Sequence, residues 1–225
     1  MENRYLNSII EFKELFVDYL DNIFAVYEHE LRLRLEEYNI LSRKDNNVES
    51  STAIGFILEE FVISKLSSFT NKKKNSKLRV CPAHSPHLSY DCVCNFKDIK
   101  FLINIKSDRG ANDSVAAISK LVNDYCNDID EIKSFVICKI FYDFKNEGSE
   151  RKILIKDYDA FAIEEVDFSN GHKQDNRNWT ENGNKNSGRL TITTKYREAN
   201  KMSYENVSFE HTKKQLEEIF KRNDS

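Results

Sequence analysis

From residue 4 to residue 41 apolar side chains recur every three or four positions, as in Leu6, Ile9, Phe16, Leu20, Ile23, Phe24, Tyr27, Leu31 and Leu35. That spacing lines one face of an α-helix, and no Pro or Gly interrupts it. It predicts two helices or one long bent one, so residues 1–48 read as a helical region. Such a stretch either packs on a partner subunit or covers the chain's own core. A second helix is predicted over 51–69. Ser50, Ser51 or Thr52 can cap it, Ile54, Leu58, Phe61, Val62 and Leu66 give its apolar face, and Glu59 and Glu60 lie in its middle.

The period then changes. Leu78–Cys81, Tyr90–Phe96 and Phe101–Ser107 read as strands, and Lys97–Lys100 turns the last two into an antiparallel hairpin. A helix is predicted over Ser114–Asn127. Ser134–Phe144 is apolar enough for the centre of a sheet. Lys152–Ile155 and Arg189–Tyr196 read as further strands, Asn170–Ser187 as loop, and Phe209–Lys221 as a closing helix. This order predicts an α/β (α+β) fold with a central mixed sheet flanked by helices.

Composition narrows the class. The chain has 225 residues, 40% of them apolar and 32% charged. That suits one globular domain rather than a disordered chain. No apolar run is long enough to span a bilayer, and the N-terminus lacks a signal-peptide pattern, so no membrane partner and a cytoplasmic location are expected. Five cysteines, an odd number, fit a reducing compartment without disulfides. The net charge of -3 argues only weakly against a nucleic-acid partner, because local charge decides.

Candidate chemistry sits on the predicted hairpin. In Phe101-Leu102-Ile103-Asn104-Ile105-Lys106-Ser107 the isoleucines point to one face and Asn104 and Lys106 to the other. The partner strand opens with Asp91, so all three can meet at one end of the hairpin. A carboxylate there can hold Mg²⁺, which takes oxygen ligands and keeps several waters. Lysine beside a scissile phosphate can stabilise developing charge or assist a proton transfer. Glu59 or Glu60, on the preceding helix, can add a carboxylate.

Asp91, a gap of twelve residues, then Asn104-Ile105-Lys106 resembles the PD-(D/E)XK nuclease motif, and the strand with Ser107 after it resembles EcoRV-like, blunt-cutting restriction enzymes. The resemblance covers roughly residues 51–144. It implies an acidic residue on the upstream helix (Glu59 or Glu60), a helix after the motif strand, and Asp91, Asn104, Lys106 and Glu59 as catalytic residues. Asp91, Asn104 and Glu59 would be the metal ligands. It further implies a Mg²⁺-dependent type II restriction endonuclease, working as a homodimer on a palindromic, AT-rich double-stranded DNA site. Residues 51–165 would form the catalytic core of a single nuclease domain, and 1–48 a dimerisation region. Tyr90 stands where the family usually has Pro. Asn104 stands where it has Asp or Glu: an amide oxygen still ligates a metal but brings no charge, so the site would lean on Asp91 with Glu59, Glu60 or Asp108.

Residues 166–205 are the candidate DNA-recognition loops. Residues 170–202 hold seven Lys or Arg against three acids, a local balance of +4, together with seven asparagines and the only tryptophan. Asn and Gln can pair with adenine edges, Arg with guanine, and basic side chains can hold phosphates. Lys173, Arg177, Asn178, Trp179, Lys185, Arg189, Lys195 and Arg197 are the candidates. The basic run Lys72, Lys73, Lys74, Lys77 and Arg79 could also touch phosphates, or simply be solvated.

Two other readings stay open: a sequence-specific DNA-binding protein without cleavage, and a zinc-binding accessory protein using Cys81, His84, His87, Cys92 and Cys94. That Cys/His spacing matches no familiar finger, and Cys92 and Cys94 also suit small core positions. On sequence alone, a carboxylate restored at position 104 would preserve or raise cutting.

Overall fold

In a computed structural model residues 3–33, 51–72, 76–109, 114–127, 131–147, 150–168, 172–174 and 188–224 are described. Helix α1 spans Arg4–Val26, and the Asn3 side chain caps it by accepting from the Leu6 N–H. Ile9, Phe12, Phe16, Leu20, Ile23 and Phe24 of its apolar stripe are buried inside the chain, while Ile10 and Val26 stay exposed. The stretch predicted as one bent helix or two is interrupted by a strand. Glu28 and His29 take left-handed backbone at φ 53° and 57°, which ends a helix and reverses the chain into strand β1, Glu30–Leu33. The apolar Leu31 therefore continues the pattern from a strand, where it is also buried. Residues 34–50, including Leu35, lie outside the described residues.

Helix α2, Ser51–Lys72, matches the second predicted helix. Strands β2 (Val80–Pro82), β3 (Cys92–Phe96) and β4 (Ile99–Asp108) follow. The β3–β4 hairpin forms as predicted, with Cys92 opposite Ile103 and Phe96 opposite Ile99. Lys97, at φ 52°, makes its turn. The predicted helix over Ser114–Asn127 divides into strand β5, Ser114–Ala117, and helix α3, Ile118–Cys126. Val115 and Ala116 are buried in β5, which pairs with the later strand Arg189–Thr191. Strand β6 (Lys133–Glu147) lies near its predicted limits, whereas β7 (Glu150–Ala162) is longer than predicted, since pairing with β6 carries it through the polar positions Asp157 and Asp159.

The main sheet has the order β1-β7-β6-β4-β3-β2. Among the described strands only β4 and β6 run parallel, and β5 and α3 lie in the crossover that parallel pairing needs. The fold is thus α+β, with a mixed central sheet flanked by helices. A small second sheet joins β5, β9 (Arg189–Thr191) and β8 (His172–Gln174). The strand predicted over Arg189–Tyr196 stops after Thr191. Thr193 accepts from the Tyr196 N–H and starts helix α4, Thr194–Ala199. Helix α5, Phe209–Asp224, closes the chain.

Both faces of β4 are covered. Phe101, Ile103 and Ile105 join the cluster made with α1 and α2, whereas Leu102 joins the cluster made with α3 and α5. One buried acid pins these layers together. Glu164, in the 3₁₀ turn Ile163–Glu165 after β7, accepts from Tyr125 Oη at 2.7 Å, Ser134 Oγ at 3.1 Å and the Phe135 N–H at 2.9 Å. Tyr5 reaches the same carboxylate from α1.

Burial pushes the Glu164 carboxyl from 4.5 up to about 7, against the lowering effect of these donors. A raised carboxyl favours the protonated fold, so its contribution is full below pH 4.5 and is lost as the pH rises through 7. Glu164→Gln removes this titration. The melting temperature of the wild-type protein should therefore fall relative to the variant between pH 5 and pH 8, as measured by thermal denaturation.

Candidate active site

The hairpin and α2 assemble the site. Gly55 brings α2 close to the end of β4: a Cβ there would lie 2.7 Å from Ser107 Oγ. Ile54, Leu58 and Val62 hold the helix down. One turn on, Glu59 is half-buried while Glu60 is exposed. Burial pushes the Glu59 carboxyl up to about 7, the Lys106 ammonium opposes this, and the Asp91 and Glu60 carboxylates add to it. Glu59 thus feels both Lys106 and Asp91, and the exposed Glu60 acts on Glu59 and on Asp91.

Asp91 precedes β3 and is bound to the motif strand on either side of Asn104. Its N–H donates to the Ile103 carbonyl at 2.8 Å, and its Oδ2 accepts from the Ile105 N–H at 2.6 Å. Burial raises its carboxyl above the usual range, Lys106 and the Ile105 N–H pull it back, and the Glu60 carboxylate raises it further. Asn104 is 5% exposed. Its Nδ2 donates to the Ser89 carbonyl, while its Oδ1 is buried with no hydrogen-bond partner. Lys106 is half-buried and acts on both Asp91 and Glu59.

Asp108, a possible substitute acid on sequence grounds, is engaged elsewhere. It lies 3.9 Å from Lys139, and both side chains are almost fully buried. Lys139 sits beside Lys106 in the parallel register. On β7, Asp159 stands opposite Lys139 and binds Arg197 at 2.7 Å. A polar track therefore crosses three strands from the hairpin.

The basic candidates are divided. Arg189 and Lys195 are exposed on β9 and α4. Arg197 is held by Asp159 and lies over the Phe161 ring. Lys173 lies on β8. Arg177, Asn178, Trp179 and Lys185 lie outside the described residues. Lys72, Lys77 and Arg79 are exposed, and Lys73 and Lys74 lie outside the described residues.

Cys92 and Cys94 are core residues, whereas Cys81, His84 and His87 are exposed. Among the described residues no three His, Cys, Asp or Glu side chains gather as a metal site. The donors at the hairpin and on α2 form a different set: the Asp91 and Glu59 carboxylates and the uncharged Asn104 amide oxygen. Hard oxygen donors suit a small divalent cation that keeps waters, and the buried, unpartnered Asn104 Oδ1 is a lone-pair donor in need of one. A cation would also relieve the cost of burying Asp91 and Glu59 together. The donor set fits.

No helix among the described residues is long and apolar enough to cross a membrane. A pocket of about 490 Å³ lies between the end of α1, β1 and α2, lined by Tyr27, Leu31, Ile57 and Phe61, and includes none of the site residues. No protein-family model matches the chain, and no curated protein matches it.

Sequence reasoning missed Ser89, Asp124 and Lys139. The Ser89 N–H donates to Asp124 Oδ2, a contact between residues 35 apart, and no local pattern announces it.

The field around Glu59 can be read directly. In a ¹³C NMR titration without metal, the Glu59 carboxyl should titrate near 7. Lys106→Met removes the cation that opposes the shift, so Glu59 should then titrate at higher pH.

Proposed function

We propose that this protein is a Mg²⁺-dependent endonuclease of the PD-(D/E)XK type, a type II restriction enzyme. It would cut double-stranded DNA at a palindromic, AT-rich site and leave blunt ends. One observation supports the reading: Asp91 is hydrogen-bonded to the motif strand on either side of Asn104, whose Oδ1 is buried without a partner, and the half-buried Lys106 acts on Asp91 and on Glu59 of the preceding helix. The helices before and after the motif strand, α2 and α3, support it, because the resemblance implies both.

Within this reading each side chain has a task. Asp91, Asn104 Oδ1 and Glu59 offer oxygens to the cation, and the Ile105 N–H keeps Asp91 turned toward the motif strand. A bound Mg²⁺ polarises a phosphoryl oxygen and acidifies its water. Lys106 is the cation left to stabilise charge that develops on the phosphate, or to steer a proton from the attacking water. Arg189 and Lys195, with the basic residues of 173–185, would hold the duplex. Two copies would read a palindrome economically, each covering half.

The uncharged Asn104 favours a second reading, a DNA-binding protein without cleavage. The two separate on one experiment: incubation of plasmid DNA with the protein and Mg²⁺, followed by sequencing of any ends. Discrete, magnesium-dependent bands support the nuclease, while binding without cutting supports the alternative. Asp91→Ala should abolish cutting and keep DNA binding in Ca²⁺; normal cutting by that variant removes Asp91 from the site. Lys106→Ala should slow the chemical step by about a hundredfold or more in single-turnover assays.

A further inference from the structure

An asparagine amide can present either its oxygen or its NH₂ in a given direction, and only its surroundings decide which. The Ser89 carbonyl is purely an acceptor, so it can take only Nδ2 of Asn104. That bond fixes the amide and leaves Oδ1 as its buried, unpartnered acceptor. Ser89 is itself 4% exposed. It lies in the segment between β2 and β3, and its N–H donates to Asp124 Oδ2 at 2.5 Å. Asp124 belongs to α3, whose buried face of Ile118, Leu121 and Tyr125 anchors it in the core. The Asn123 side chain donates to the other oxygen of Asp124 at 3.3 Å. A continuous chain of hydrogen bonds therefore runs from α3 through Ser89 to the amide between the two contacts of Asp91.

We propose that Asp124 is a positioning residue for the cation site: it clamps Ser89, whose carbonyl turns the Asn104 amide so that Oδ1 is offered to the cation. The inference rests on the cation-site reading above. It also accounts for an amide where the motif has an acid. A carboxylate at 104 would set one of its oxygens against the Ser89 carbonyl oxygen, a contact with no proton to share. The sequence favours an acid at this position, and the Ser89 carbonyl reverses that expectation.

The test uses the full chain without DNA and reads Mn²⁺ affinity from the electron paramagnetic resonance of the free ion, alongside a thermal melt. Asp124→Ala should weaken Mn²⁺ binding about tenfold, the scale usual for residues that orient metal ligands. Asp124→Asn keeps an oxygen that can accept from Ser89 and should restore most of the affinity. Asn104→Asp should bind no more tightly than wild type despite its added charge. The clamp is overturned if Asp124→Ala binds like wild type, or if Asp124→Asn is as weak as Asp124→Ala. Tighter binding by Asn104→Asp overturns it as well, and that variant decides the matter even if Asp124→Ala does not fold. A wild-type protein that neither binds Mn²⁺ nor cuts DNA removes the cation site itself. A wild-type protein that does both, with Asp124→Ala unaffected, removes the clamp alone.

Discussion

Strand β4 is covered on both faces, and this constrains everything around it. Its isoleucines and Phe101 pack under α1 and α2, and Leu102 packs under α3 and α5. A polar side chain on such a strand loses water and must find a partner or remain costly. Three polar residues of β4 meet this demand differently. Asp108 pairs with the buried Lys139. Asn104 satisfies its NH₂ on Ser89 and leaves its oxygen bare. Lys106 sits in the field of Asp91 and Glu59. The strand is therefore fully settled at one end of this series and chemically open at the other.

A contrast within the molecule separates structural acids from candidate functional ones. Glu164 is more deeply buried than Glu59, yet it collects donors from α3 and β6, with Tyr5 reaching it from α1. Such a network satisfies the carboxylate and ties layers together. Asp91 and Glu59 have no comparable set of donors; what lowers their carboxyls is chiefly the charge of Lys106. Two half-buried acids, Glu59 raised by Asp91 and both raised by Glu60, beside one ammonium form a site short of positive charge. That deficit, more than the letters of any motif, is what a divalent ion would fill.

Much of this was legible in the sequence, and the reason is local. Periods of two and of three to four residues follow from backbone geometry, so α2, the β3–β4 hairpin, β6 and α5 emerge near their predicted limits. The alternation of Asn104 and Lys106 against Ile103 and Ile105, and the return of Asp91 to the same end of the hairpin, follow from that geometry too. What the periodicity misjudged were places where a few residues overrule it. Left-handed backbone at Glu28 and His29 ends α1 at Val26 and puts strand β1 at Glu30–Leu33, inside the stretch predicted as helix. Pairing with β9 draws Ser114–Ala117 out of the predicted helix, and the Thr193 cap ends the predicted strand.

The sequence by itself determined the kind of chemistry available, because residue types and their spacing along one hairpin are properties of the chain. Only the tertiary structure decided which groups are free to perform it. It half-buried Glu59 and left Glu60 exposed, bound Asp108 to Lys139 and Arg197 to Asp159, and oriented the Asn104 amide through Ser89 and Asp124. Each of these choices depends on contacts between distant segments, whose pairing is set by how two buried faces pack and not by any pattern a single stretch of sequence can carry.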